Sequence, residues 1–595
     1  MAKKVENPKT INSSKTASAP AFDLFERMES FLHRNSNTVF WSIFILSLLL
    51  VFGLFEMKIG LANDDALYIE GGVKYARDFF GYFFTANAPL YPMLLGLVIS
   101  LFGSSLVILK LVSSVFFLLS IFLIFKAFKG RLPYSVLFPA IFITATNALF
   151  LINASLTYTE CFFASIQALF LWFFLKITDE ADANSSFAST WKLWLIFGLS
   201  VFLMFTSRNV SIGILAVIPV FFLLKRQWKY LGIAFLVSVS SVALWMIVKK
   251  LIWPEYESQF GSQLTIMMRK SLFNPQDPNN GPETPLGFVK RFLQNTEIYF
   301  YARFWELLGY KKDNSAIELV KMDYKLLFGT IFTILLMIPG AVFAYIRKNN
   351  AVMVSFLYFI ILSSVTFISL HTSWAQSRLV MIYFPFIFMT IFYGFWELFK
   401  TKRFAGLKFL YFILLAFLLL PNLYNSLKRI PDNIPVLSKN ISGDEFYGYT
   451  NDWKNFFKAS RWCARELPEG SYVASRRAPM SFIYGDFKDF YPVYSIPSEN
   501  PDTLLSTLKR ENVTHVLLAE LRVNPKRYIP NRYINTLHRY VSIIAMKYPT
   551  VFQLVHKEGT QEVAEVYKIN YELAVPQADS ALIPNTNNPE TKAKP

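Results

Sequence analysis

Eleven stretches of this sequence are apolar over most of the length that a helix needs to cross a bilayer. They are 39–55, 105–127, 134–152, 160–176, 191–206, 210–224, 230–250, 324–346, 351–370, 378–399 and 407–425. A crossing takes ~20 residues, because the helix must satisfy its own backbone through ~30 Å of hydrocarbon. Soluble cores stop growing before they need so much apolar chain. Only 17% of the 595 residues are charged and 54% are hydrophobic, with 61 phenylalanines; soluble domains run at about 25% charged. The expected fold class is mainly α: a polytopic transmembrane helical bundle of about 11–13 spans. The same figures exclude a disordered, collagen-like or disulfide-scaffold chain. Of the two cysteines, Cys161 edges an apolar run and Cys463 lies in a polar region, so no bridge is expected.

Charge sets the sidedness. The formal net charge is +18, which in a membrane protein reflects basic cytoplasmic loops and snorkelling side chains rather than nucleic-acid binding. A twelfth apolar run, 88–103 (APLYPMLLGLVISLFG), is short and carries two prolines in its first turns. If it crossed, the clusters 126–131 (KAFKGR), 225–229 (KRQWK), 345–350 (YIRKNN) and 400–403 (KTKR) would all lie outside. If it only dips into the outer interface, all four are cytoplasmic, as the positive-inside rule requires. The expected layout is therefore a cytoplasmic tail (1–38), a transmembrane module (39–430) with external loops 56–104 and 251–322, an external region (440–570) and a disordered tail (571–595). The first apolar run begins too late, and without a small-residue cleavage site, to be a signal peptide. The expected setting is a plasma membrane, with the C-terminal region on its external face.

Residues 440–570 change character. Asn451 and Asp452 can cap a helix carrying Trp453, Phe456, Phe457 and Trp462 on its apolar face. SYVAS (471–475) and THVLLAEL (514–521) read as strands, PDTLLSTLKREN (501–512) and 529–547 as helices, and VFQLVHKEG with AEVYKIN as a hairpin. This alternation predicts a small external α/β domain.

The polar residues hardest to explain fall together on the external face. Asp64 and Asp65 are adjacent carboxylates just beyond the first span. Such a pair can take a proton from a hydroxyl or hold a divalent cation; equally, Asn63 or Asp64 can cap the following helix with acids at its positive end. Lys110 sits one turn into a span, to snorkel or to meet a lipid phosphate. Glu160 lies at the outer end of a span, where a carboxylate is costly unless hydrated, paired or functional. Arg208 and Arg378 also sit at outer span ends, either anchoring helices or offering guanidinium to phosphate. The five histidines show no zinc-ligand spacing, and no Walker loop, dinucleotide glycine motif or Gly-x-Ser-x-Gly elbow is present.

The order of these pieces resembles the GT-C glycosyltransferases, in the bacterial branch related to protein O-mannosyltransferases and the lipid A aminoarabinose transferase. The resemblance rests on NDDALY, NAPLYPMLLG, the Tyr158-Thr159-Glu160 step, FTSRN, SRLVMIYFP and the external segment DWKNFFKASRWCARELPEGSYVASRRAPMSFIYG. It implies transfer of a sugar from a polyprenyl-phosphate donor to a lipid, glycan or protein acceptor, with inversion at the anomeric carbon, in a bacterial inner membrane with the C-terminal domain periplasmic. It implies Asp64 and Asp65 as the catalytic pair, Glu160, Lys110, Arg208 and Arg378 as donor-phosphate or metal contacts, and Asn87, Tyr91, Tyr158 and His371 as cavity residues. A divalent cation on Asp64, Asp65 and Glu160 is an option within the pattern, and no other cofactor is implied. Two positions depart from it: Asp65 stands where Glu is common, and Ala88 where His or Lys often precedes the proline. A polytopic transporter or lipid flippase fits the same spans, as does an inert scaffold. Against a transporter stand the lack of an internal repeat, the lack of acids along span interiors and the sizeable external region.

Overall fold

The computed structural model describes residues 24–256, 261–270, 281–310, 324–524 and 527–574. Residues 1–23 of the expected tail 1–38 and 575–595 of the tail 571–595 lie outside the described residues, as does part of loop 251–322; the described part of the N-terminal segment holds a helix, Leu24–Arg34. Among the described residues, eight helices are long and apolar enough to cross a membrane: Ser36–Gly53, Leu106–Phe128, Thr159–Asp182, Phe187–Ser207, Trp228–Ile252, Leu327–Ile346, Asn350–Ser369 and Phe409–Ile441. Large apolar side chains such as Leu236, Leu251 and Phe328 stand exposed on them, as a lipid-facing surface requires. The chain is a multi-pass membrane protein. Thr159–Asp182 is the innermost of the eight. Its buried Gln167 is satisfied on both sides, donating to the Ile382 carbonyl (2.8 Å) and accepting from Tyr358 Oη (3.1 Å).

The three remaining apolar runs are broken, each for a local reason. Run 134–152 divides into Tyr134–Ala145 and Ala148–Asn153, because Asn147 accepts from the backbone N–H groups of Leu149 and Phe150 and caps a new helix. Its amide then donates to Asn422 Oδ1 (2.7 Å) and the Leu307 carbonyl (2.9 Å), binding the break into the bundle. Run 210–224 starts with the 3-10 turn Asn209–Gly213, and run 378–399 is split into Arg378–Met381 and Phe384–Lys400.

Hydrogen bonds define two ends of the bundle. At one, Arg131 pairs with Asp179, Asn349 donates to the Arg131 carbonyl, Lys225 meets Asp182 and Asn350, and Arg347 meets Glu397. All four basic clusters therefore gather on one end. At the other lie Asp64, Asp65, Lys110, Glu160, Arg208 and Arg378. The helix Leu90–Phe102 has 13 residues, about 20 Å at 1.5 Å each, too short to cross. It starts beside the next long helix, with Tyr91 Oη bonded to Ser113 Oγ (2.7 Å), while that helix's own start brings Lys110 to Asp65. Both therefore belong to the same end.

The strands all follow the bundle in the chain. β1 (Val473–Ser475), β2 (Phe490–Pro492), β3 (His515–Ala519), β4 (Phe552–Glu558) and β5 (Ala564–Ile569) form a sheet in the order β2-β1-β3-β5-β4. β1 lies parallel to β2 and β3, whereas β5 is antiparallel to β3 and β4. The helix Asn451–Glu466 is preceded by Thr450 rather than capped by Asn451 or Asp452. Instead, the buried Asp452 carboxylate accepts from the Arg522 backbone N–H (2.9 Å). The helical part of 529–547 is Thr536–Lys547.

This α/β unit grips the first loop. Tyr449 Oη donates to the Ile59 carbonyl (2.8 Å), Lys58 Nζ to the Gly448 carbonyl (3.3 Å) and Arg77 to the Phe487 carbonyl (2.9 Å). The short helix Ala478–Tyr484 packs on Asp64–Arg77.

Candidate functional site

The helix Asp64–Arg77 carries acids in its first turn and Lys74 and Arg77 in its last, matching the helix dipole. Glycines let it lie close to Leu90–Phe102: a Cβ on Gly72 would stand 2.8 Å from Leu95 Cβ, and one on Gly96 2.8 Å from Tyr75 Cβ. Asn63 occupies the cap position, yet its side chain makes no cap bond. The acidic pair does not cap the helix either, and its members diverge.

Asp65 turns inward and is fully buried. It accepts from the Gly60 N–H (2.7 Å), from Lys110 Nζ (3.2 Å), and from both the N–H (2.6 Å) and the hydroxyl of Thr157. Lys110 is equally buried and also donates to the Ser155 carbonyl (2.9 Å). It neither snorkels nor stands open to a ligand. The saturated Asp65–Lys110 pair ties the acidic helix to the start of Leu106–Phe128 and to the turn before Thr159.

Asp64 turns toward a row of alternating charges. Its Oδ2 accepts from Arg378 Nη2, and its side chain keeps 34% of its surface exposed. Arg378 Nη1 lies 3.7 Å from Glu160 Oε1, which accepts from Arg208 Nη2 at 3.0 Å. Glu160 is 1% exposed, so the carboxylate that looked interfacial is the buried centre of the row. Arg208 reaches it because the backbone is extended at that residue, between Phe187–Ser207 and the following 3-10 turn. Arg378 opens its short helix just after Ala375, which takes a positive φ of 25°, a costly conformation for a residue with a Cβ.

Unused bonding capacity marks this row. Arg208 Nη1 and Glu160 Oε2 are buried without hydrogen-bond partners, a rare condition that an arriving polar group can relieve. Tyr158, the residue before the central helix, places its ring 4.7 Å from the Arg378 guanidinium. Asn87 donates to Tyr68 Oη (3.1 Å) near the acidic helix. Tyr91 and His371 are packed inside: Tyr91 stacks on Phe162, and His371 Nε2 lies 2.8 Å from the Ile266 carbonyl.

Asp64, Asp65 and Glu160 do not converge into a cation site, since the Asp65 oxygens are spent on Lys110, Thr157 and Gly60. No group of three His, Cys, Asp or Glu among the described residues is placed to hold a metal. Two contributors escaped the sequence reading. Thr157, next to the quoted Tyr158, locks Asp65. The Arg476-Arg477 pair lies in a segment distant in sequence, and the helix that follows it, Ala478–Tyr484, docks on the acidic helix.

No protein-family profile and no curated protein matches the sequence. Among solved structures, the apo oligosaccharyltransferase of Archaeoglobus fulgidus superposes with a TM-score of 0.53 at 11% identity, over 87% of this chain and 80% of that one. The same enzyme in complex with Zn and sulfate gives 0.50 at 13% identity, over 80% and 67%. ArnT from Cupriavidus metallidurans bound to undecaprenyl phosphate gives 0.42 at 12% identity, over 90% and 98%. The helical bundle with an α/β unit seated on one end is thus a fold this chain shares with the archaeal oligosaccharyltransferase.

Proposed function

We propose that this chain is a membrane glycosyltransferase that moves a sugar from a polyprenyl-phosphate donor to a lipid, glycan or protein acceptor at the external membrane face. The observation that carries the reading is the row Asp64–Arg378–Glu160–Arg208, half open at Asp64 and closed at Glu160. Asp64 Oδ1 makes no hydrogen bond among the described residues, so this oxygen is available to take the proton of an acceptor hydroxyl. The acceptor oxygen attacks the anomeric carbon from the face opposite the phosphate. The carbon–oxygen bond to phosphate breaks, and its electron pair leaves with the polyprenyl phosphate. Negative charge then grows on the phosphate, where a guanidinium fork is well matched to its oxygens. Arg208 has an unused prong for that purpose, while Glu160 holds both arginines in place. The lipid tail stays in the bilayer, which requires the site to lie at a bundle end. The gathering of basic clusters at the opposite end supports an external location.

The test is Asp64→Asn in the purified protein, assayed for release of polyprenyl phosphate from a panel of radiolabelled polyprenyl-phosphate sugars. The amide keeps the size and a hydrogen bond to Arg378 but cannot accept the proton. Turnover is expected to fall by ~10²–10⁴ with an unchanged melting temperature. Turnover near wild type removes Asp64 as the base.

A further inference from the structure

The C-terminal unit brings two arginines to the Asp64 end without any acid to match them. Its other arginines are either paired or exposed. Arg461 meets Glu445, Arg465 meets Asp486, Arg510 meets Glu511 and Arg522 meets Glu562; Arg527, Arg532 and Arg539 stand in solvent. Arg476 and Arg477 are half-buried, and their Nε atoms are enclosed with no hydrogen-bond partner. Neither forms an ion pair among the described residues. They occupy the turn between β1 and Ala478–Tyr484, the helix that packs on Asp64–Arg77.

The turn is held from both sides. The Arg477 N–H donates to Ser475 Oγ (3.2 Å), and that hydroxyl also bonds Ser481 Oγ (2.9 Å). Arg476 stacks its guanidinium 5.5 Å from the Tyr494 ring, and Tyr494 in turn lies beside Asn63, the residue before Asp64. Burial pulls both arginines below the usual guanidinium range; at Arg477 the neighbouring Arg476 adds to this, and Asp64 opposes it. Asp64 is already engaged by Arg378. Two adjacent, partly desolvated cations whose one nearby carboxylate is already paired are costly, and a bound anion offsets that cost.

We propose that Arg476 and Arg477 bind a phosphate or carboxylate group of the acceptor, so that the transferase acts on an anionic acceptor whose hydroxyl faces Asp64. This rests on the reading of Asp64 as the base. The row Arg208–Glu160–Arg378 serves the donor phosphate, and the second cationic pair serves a second anion.

The experiment uses the full chain in detergent, first saturated with polyprenyl phosphate, and titrates glycerol phosphate as the soluble probe. Wild type is expected to bind the probe saturably. R476Q/R477Q should weaken that binding by about tenfold or more and leave polyprenyl phosphate affinity unchanged, while R476K/R477K recovers part of it. The glutamine variant should melt no lower than wild type, because it removes uncompensated charge; a merely structural pair would melt lower. Absence of saturable probe binding by wild type, or equal binding by wild type and R476Q/R477Q, overturns the proposal. Weakened polyprenyl phosphate binding with intact probe binding also overturns it, assigning the pair to the donor instead. None of these readouts needs turnover, so failure here is separable from failure of the Asp64→Asn test.

Discussion

Asp64 and Asp65 are the same residue type, one position apart, and have different work because a helix turns ~100° between them. One side chain enters the fold and the other reaches the charge row. Sequence showed that an acidic pair was there; it did not show which member was spent. The arginines follow the same rule. Arg378 contacts Asp64 and Glu160 and lies over Tyr158, whereas Arg208 contacts Glu160 alone among carboxylates. Lysine keeps the charge but loses the planar fork. Arg208→Lys and Arg378→Lys are therefore each expected to lower turnover at saturating donor by ~10²-fold, the first by losing the phosphate contact and the second by releasing Asp64 and Glu160. Rates within a few-fold of wild type in both would mean that the arginines only anchor helices at head groups.

At the scale of elements, the Asp65–Lys110 pair fastens three pieces: the acidic helix, the start of Leu106–Phe128 and the turn at Ser155–Thr157. Removing one partner leaves a charge stranded in the interior. Lys110→Met is expected to destabilise the folded protein by ~3–5 kcal/mol, read as a lowered melting temperature in detergent, with activity lost in step with folded protein. That pattern is the reverse of Asp64→Asn, which should lose activity and keep stability. An unchanged melting temperature for Lys110→Met would show that the pair contributes nothing to holding these elements. Long, periodic elements were legible beforehand: Pro501–Arg510, β3 and the β4–β5 hairpin lie where the pattern put them. β2 was not, because FYP is three residues long and ends in proline. The break at Asn147 was also hidden, since the apolar run continues on both sides and only the Asn422 and Leu307 contacts make the interruption stable.

Across the whole molecule, the two ends of the bundle carry opposite kinds of charge. One gathers the basic clusters; the other gathers ion pairs of both signs under the α/β unit. If the basic end is cytoplasmic, a cysteine at the exposed Ser506 should react with an impermeant maleimide added to intact cells, and one at the exposed Lys348 should react only after lysis. The native Cys161 and Cys463 are buried, so the background should be low. Labelling of the Lys348 position alone in intact cells would invert the orientation and remove the external site.

Sequence by itself determined that the chain crosses a membrane many times, because hydrophobic length and basic clustering are local properties that no packing can undo. It also determined that an α/β unit follows, because strand and helix periods are written in neighbouring residues. Only the tertiary structure decided which carboxylate is free, that Lys110 is an internal strut, that Glu160 is buried between two arginines, and that the helix following Arg476 and Arg477 packs on the acidic helix. Each of these depends on contacts between segments far apart in the chain. The energy of such a charge is set by its partners and its burial, and neither is recorded at the residue's own position.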